Sequence, residues 1–414
     1  MIEKLRLPEV QNHVWSVMST GIVSIHIGFM VFVAVRFFGV VEAGIISLTA
    51  ALCQPLYTLT NFGARTRHTT DVNKEFSHHT YFGLRTITAV AAAMIMTLII
   101  IFGSFDSFRL AVTVFLFLAF MTDAYADNFM CELQRVGKLR IGGRIRFSAF
   151  FFGLVGFSIV GFLAGSLIYA ILAFFLCLTT VNIAGIWFNK ENFDPIRQRF
   201  DFRKIRKLAS VCFPLFFGGV VYTITVASPV YLLGFFASYE SIAVFSMLNT
   251  PVALLGLFFS VIVYGQFITR GAKVFTKEGG SALTKQIKMQ VLLTVSVSLI
   301  FATVSYFFGI AILSWLYNID LTGYRLPFLL IVTGTVLIGP VLVLMAAFII
   351  MRRQKFSIYT VLICSAIAVP LLIWLVGSFG LFGAAFFAYV YYIPALCYLT
   401  YNYRKTVRSL VAPC

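Results

Sequence analysis

Residues 291–317 read VLLTVSVSLIFATVSYFFGIAILSWLY, an apolar run without a single charged side chain. At 1.5 Å per residue such a run extends about 40 Å as a helix, enough to cross the roughly 30 Å hydrocarbon core of a bilayer. Working outward in both directions, runs of comparable length recur. Before it they fall at about 14–37, 44–62, 81–102, 110–130, 147–164, 167–188, 208–236 and 242–267; after it they fall at about 326–351, 358–376 and 380–401. Together with 291–317 these make twelve predicted spans. The composition agrees, because 60% of the 414 residues are hydrophobic and 11% charged, an apolar share above the roughly 45–50% of a soluble domain. A single soluble globule is excluded.

The chain carries a net charge of +17, and the positions of the basic residues decide what that means. Arg65, Arg67 and Lys74, then 135–146, 190–207, 270–288, 352–355 and 404–408 supply them in every second connection. The alternate connections hold only Arg36, Arg109 and Arg325. Positive charge on one side of the membrane orients a polytopic chain, so the N-terminus and, after twelve crossings, the C-terminus are expected in the cytoplasm. The same alternation argues against nucleic acid as a partner, which would call for one continuous basic face. The outer connections are short, with 103–107 and 318–324 among the longest, so no outer catalytic domain is expected. The cysteines have no paired spacing and five of them sit in apolar runs, where they read as small hydrophobes.

The two halves of the chain echo each other. Phe37-Phe38-Gly39-Val40-Val41-Glu42-Ala43 closes the first span, and Phe235-Phe236-Ala237-Ser238-Tyr239-Glu240-Ser241 closes the seventh. Gln54-Pro55 in the second span corresponds to Asn249-Thr250-Pro251 in the eighth. The expected fold is therefore all-α: a polytopic membrane protein with 12 transmembrane helices in two pseudo-repeated six-helix lobes. Its divisions are an N-lobe over 1–189 (helices 1–6), a basic cytoplasmic inter-lobe linker over 190–207 and a C-lobe over 208–414 (helices 7–12).

No phosphate-binding glycine loop, no His-Glu-x-x-His and no Cys-x-x-Cys is present, so no catalytic residue, cofactor or metal site is expected. His78-His79 reads as a solvated pair at a loop end, and His26, in mid-span, as either a titrating group or a core histidine. Carboxylates within spans carry more information, because charge in the hydrocarbon region is costly and usually marks a pathway or a pair. Asp123 and Asp127 lie one turn apart on a single helix face. In the hairpin of spans three and four, Arg85 falls at their depth, so these three residues are candidates for ion coupling or gating, or for a charge-neutralising pair.

Arg65 and Arg67 after span two correspond to Arg270 and Lys273 after span eight. They are topology charges in one reading. In the other, the arginines rim an inner cleft and meet an anionic headgroup, since a guanidinium fork matches phosphate oxygens. Prolines in corresponding positions of two halves point to a binding site, so Gln54, Pro55, Asn249, Thr250 and Pro251 are candidate cavity or gate residues.

Three further stretches carry a resemblance: Phe38-Gly39-Val40-Val41-Glu42-Ala43-Gly44, Asn61-Phe62-Gly63 followed by basic residues, and Phe379-Gly380-Leu381-Phe382-Gly383-Ala384-Ala385. Over nearly its whole length the chain resembles the polysaccharide-transporter family of the multidrug, oligosaccharidyl-lipid and polysaccharide exporter superfamily, most of all bacterial O-antigen flippases. The resemblance implies a flippase, not an enzyme, that moves undecaprenyl-diphosphate-linked oligosaccharide across the bacterial cytoplasmic membrane. It also implies membrane lipids around the protein, H+ or Na+ as candidate coupling ion and a glycan polymerase as candidate partner. Arg65, Arg67 and Arg270 would then meet the diphosphate. The chain departs from the family at Asn61, where Asp or Glu is common, and at Ala243 and Phe245, where Gly and Tyr are.

Two other functions compete. A cation-coupled multidrug or metabolite exporter of the same superfamily would be expected to carry an acidic residue inside the first span, and 14–37 has none. A membrane glycan polymerase would need a catalytic acid near an outer connection, where only Glu42, Asp106, Glu240 and Asp320 exist.

Overall fold

The computed structural model of the protein describes residues 2–71, 75–193, 201–259 and 265–411. Lys74 and the part of the expected linker at 194–200 lie outside the described residues, as do the side chains of Lys4, Arg6, His13 and Arg408. The helices are α1 (Ile2–Phe37), α2 (Val40–Asn61), α3 (Ala64–Thr70), α4 (His78–Phe102), α5 (Ser107–Arg135), α6 (Leu139–Ala164), α7 (Leu167–Phe188) and α8 (Phe202–Phe236). They continue with α9 (Tyr239–Phe258), α10 (Gly265–Val304), α11 (Ile310–Tyr317), α12 (Arg325–Ile350), α13 (Lys355–Phe379), α14 (Leu381–Ala385) and α15 (Phe387–Val411). Twelve helical stretches are long and apolar enough to cross a membrane, and no strand occurs among the described residues. One crossing joins α10 to α11 through a π-helical turn at Ser305–Gly309.

Several spans begin earlier than the apolar runs predict. The fifth starts at Leu139 instead of 147, because helix geometry persists through two turns of mixed basic and small residues that pack against the protein. The eighth ends at Phe258, short of the expected 267. The basic segment expected to be a connection is helical: α10 runs from Gly265 through it, breaking at Gly279, which sits at φ 79° and ψ −166°. That conformation needs glycine, since a side chain would clash with the backbone there. Before the break, Phe267 is buried while Arg270, Lys273 and Lys277 are exposed, so the segment is amphipathic and the basic residues alone hid it.

The chain divides into two compact units, Met1–Ile224 and Thr225–Cys414, the division falling inside α8. In the first, α6 packs against both α1 and α7, and α5 against α2 and α7. Close approach depends on small residues: a Cβ at Gly143 would stand 2.9 Å from the Trp15 carbonyl oxygen. Met30, Ile46, Leu116, Phe157 and Phe174 form fully buried parts of this unit. In the second, α12 is central, flanked by α10, α15 and α9, around Phe348, Leu372 and Leu399. Phe102, Leu163, Phe235 and Trp315 are each more than 75% exposed, which suits side chains that meet lipid.

Candidate functional site

The site is built on α5. Its N-cap Asp106 accepts the Arg109 backbone N–H at 2.7 Å, satisfying one of the free donors of the first turn. From there the helix carries Asp123 and Asp127 inward on one face, and they are 5% and 1% exposed. A carboxylate this deep has to be paired.

Three arginines from three helices meet Asp127. Arg65, near the start of α3, donates to its Oδ1. Arg146 on α6 donates to the same oxygen at 3.3 Å, and Arg85 on α4 lies 3.4 Å from Oδ2. Arg146 also donates to Asp123 Oδ2 at 2.7 Å and to the Tyr57 hydroxyl at 3.1 Å. Arg85, itself 2% exposed, further donates to the Ala124 carbonyl. Arg65 reaches this cluster because the chain turns sharply after α2: Phe62 and Gly63 both adopt left-handed φ, 48° and 65°. A Cβ on Gly63 would also lie 3.1 Å from the Phe216 amide nitrogen, so conformation and space both demand glycine there.

The ion cluster lies between two cavities of this unit. One, of about 90 Å³, is lined by His26, Gln54, Tyr57, Asp123 and several phenylalanines. The other, of about 290 Å³, is more polar and includes Ser16, Thr20, Arg65, Thr69, Gln134 and Arg146 in its wall. Along α5 the first takes Ala119 to Asp123 and the second Met130 and Gln134, which leaves Asp127 between them. Asp123 Oδ1 is buried without a hydrogen-bond partner. The arrangement holds three positive and two negative charges next to a hydroxyl-rich cavity, a chemistry suited to an oxyanion.

Some predicted residues come together here and others do not. Arg85, Asp123 and Asp127 share the cluster, and Arg65, anticipated as a phosphate ligand, joins it. Arg67 turns instead to Glu75, which also pairs with Lys207 at 3.2 Å. Gln54 lines the smaller cavity, one residue before Pro55 within α2. In the second unit, Thr250 pairs with the Tyr317 hydroxyl at 3.0 Å, between Asn249 and Pro251 on α9, while Arg270 is exposed. His78 is not solvated as expected but fully buried. His26 is held to the Val23 carbonyl through Nδ1 at 2.5 Å and packs among Phe120, Phe150 and Phe174, the core alternative.

Arg146 was not anticipated. It falls in a stretch read as a connection, yet it lies two turns into the span Leu139–Ala164. An arginine on that helix at the depth of two aspartates was the available signal. Nearby, Asp71 follows α3. Burial alone would raise its pKa, but the backbone N–H groups of Phe76 and Glu75, each 2.9 Å away, and the Tyr81 hydroxyl hold it below the usual carboxylate range.

No protein-family model matches the chain, and no curated protein matches it. Solved structures do. An inward-facing multidrug resistance MATE family transporter of the MOP superfamily superposes with a TM-score of 0.73 at 10% identity, over 94% of this chain and 96% of that one. The lipid II flippase MurJ, in an inward closed conformation, gives 0.72 at 14% identity over 96% and 89%. A MOP superfamily transporter from Pyrococcus furiosus, described as having a binding pocket of reverse polarity, gives 0.61 at 11% over 98% and 96%. At these identities the likeness concerns architecture, and the chain has the fold of the MOP superfamily transporters.

Proposed function

We propose that the protein is a flippase that moves undecaprenyl-diphosphate-linked oligosaccharide repeat units across the bacterial cytoplasmic membrane for an O-antigen-like surface polysaccharide. The observation that supports this most is the polar cavity walled by Arg65 and Arg146, with Asp127 behind both guanidinium groups. A diphosphate entering that cavity competes with Asp127 for the two arginines. Hydroxyls of Ser16, Thr20 and Thr69 stand ready for sugar. Each unit contributes its own proposed contacts: Arg67 with Gln54 and Pro55 in the first, and Arg270 with Asn249, Thr250 and Pro251 in the second, the arginines toward the headgroup and the others as cavity or gate residues. Freeing Asp127 and Asp123 from Arg65, Arg85 and Arg146 leaves carboxylates able to take H+ or Na+, which couples headgroup arrival to an ion. No bond in the substrate needs to break, so no enzyme chemistry is invoked.

The test is the leaflet location of undecaprenyl-diphosphate-oligosaccharide in cells depleted of the protein and in cells restored with it. Cytoplasmic-side accumulation, relieved by the intact chain and not by Arg65→Ala at equal membrane level, supports the reading. An unchanged outer-leaflet pool with unpolymerised repeats overturns it in favour of a glycan polymerase. One observation favours a second reading, a cation-coupled exporter: Asp123 keeps an unpartnered oxygen and lines a cavity walled by Phe120, Phe150 and Phe174. Efflux of small cationic dyes that depends on Asp123 separates the two.

A further inference from the structure

A second buried cluster in the first unit takes no part in the site above. His68 of α3, His78 at the first turn of α4 and Glu132 of α5 are 1%, 0% and 3% exposed. One potential ligand atom from each lies within 4.8 Å of the other two. Glu132 Oε2 is 2.9 Å from His68 Nε2 and 3.7 Å from His78 Nδ1. In a tetrahedral zinc site with metal–ligand distances near 2.0–2.1 Å, ligand atoms stand about 3.3 Å apart, and these two separations bracket that value.

His78 is the telling residue. Both of its ring nitrogens are buried with no hydrogen-bond partner, which is an unfavourable state for an imidazole. The other two groups are oriented by neighbours, as ligands in metal sites usually are. The His68 ring stacks on Tyr81 with centroids 4.0 Å apart and planes 7° apart, and the Tyr81 hydroxyl donates to Asp71 at 3.2 Å. Arg135 donates to Glu132 Oε1 at 2.7 Å and to the Phe76 carbonyl at 3.3 Å. That guanidinium repels a dication, yet it also turns Oε2 toward the two histidines and leaves that oxygen for the metal.

We propose that His68, His78 and Glu132 bind one divalent transition-metal ion, with Zn2+ the best match to two imidazoles and one carboxylate. A water completes four-coordination. The ion clamps α3, α4 and α5 to one another at the same end of the unit that holds the ion cluster. His68 lies one turn beyond Arg65 on α3, and Glu132 lies beyond Asp127 on α5. The clamp therefore fixes the two helices that bring Arg65 to Asp127. The assignment stands on the histidine cluster alone and does not depend on what the protein carries.

The test uses the full chain purified in detergent, stripped with a chelator and titrated with Zn2+, with Co2+ as a spectroscopic probe. The expected result is one Zn2+ per chain, a rise in apparent Tm on adding zinc, and a Co2+ spectrum typical of four-coordination. Because ligand losses weaken metal sites severely, His78→Gln and Glu132→Gln are expected to lower zinc affinity at least tenfold, while His79→Gln leaves it unchanged. Apo-state Tm of each variant, measured alongside, separates lost binding from lost folding. Absence of stoichiometric zinc uptake by the stripped wild-type chain overturns the proposal whatever the variants do. So does a folded His78→Gln variant that binds zinc as tightly as wild type.

Discussion

The two units differ in what they bury. In Met1–Ile224 the buried polar side chains include His68, Asp71, His78, Arg85, Asp123, Asp127 and Glu132; in Thr225–Cys414, among the described residues and apart from tyrosines, they are Ser or Thr. Every ion pair among the described residues belongs to the first unit. The second unit satisfies its interior with hydroxyl bonds, within a helix from Thr335 to the Val332 carbonyl at 2.6 Å and between helices from Thr225 to the Ser365 hydroxyl at 2.7 Å. Two halves with echoing sequence signatures at their span ends thus bury different chemistry. Among the described residues, the buried groups able to change charge or hold an ion are concentrated in the first unit.

The sharpest way to break this contrast is at Asp127. Asp127→Ala leaves Arg65, Arg85 and Arg146 facing one another without their shared acid, and a destabilisation of about 3–5 kcal/mol is expected for a buried pair that loses one partner. Thermal unfolding in detergent checks it, and a shift no larger than that of a hydroxyl deletion in the second unit would remove the asymmetry. Arg146→Lys is next. It keeps the charge but loses the fork that reaches Asp123, Asp127 and Tyr57 together, so under the proposed function transport is expected to fall about tenfold or more with the protein still present in the membrane. In the second unit, the proposed function expects Arg270→Ala to lower transport several-fold at normal expression; unchanged transport would remove Arg270 from the proposed headgroup contacts.

Smaller effects sharpen the comparison. Thr335→Val removes one buried hydroxyl bond, and a loss of about 1 kcal/mol is expected from its unfolding midpoint. Asp71→Asn is expected to cost about as much at neutral pH, with a distinctive pH dependence. The Asp71 pKa is depressed in the fold, so its stabilisation is present above the unfolded value of about 3.9 and is lost as pH falls through the lower folded value. Wild type and variant should therefore start to converge as pH falls below about 4 and meet only below the depressed folded value, and a gap that never narrows as pH falls would contradict the hydrogen-bonded carboxylate at this loop.

The spans were legible because bilayer thickness sets the length of an apolar run, and Asp123 with Asp127 were legible because a four-residue spacing shares a helix face. Even the depth of Arg85 followed from counting residues about a hairpin. The ends of the spans were harder to read, since a helix does not stop where hydrophobicity does: residues 139–146 and 265–279 are helical yet basic. Arg146 was lost to that effect. The burial of His78 could not be read either, because it depends on Phe129 and Phe193 packing around its ring, contacts set by tertiary structure instead of local pattern.

The arginine cluster also has an electrical meaning. Inside the spans Arg85 and Arg146 balance Asp123 and Asp127, and Arg65, on α3 between two spans, adds one unit of positive charge at their edge. Moving a unit charge through the full membrane potential involves about 2.3 kcal/mol per 100 mV. The anionic headgroup of the proposed substrate, seated beside the cluster, would offset that charge, so the unit with and without it would feel the membrane voltage differently. Under the proposed function, membrane voltage would thus act with unequal force on the protein with and without its headgroup.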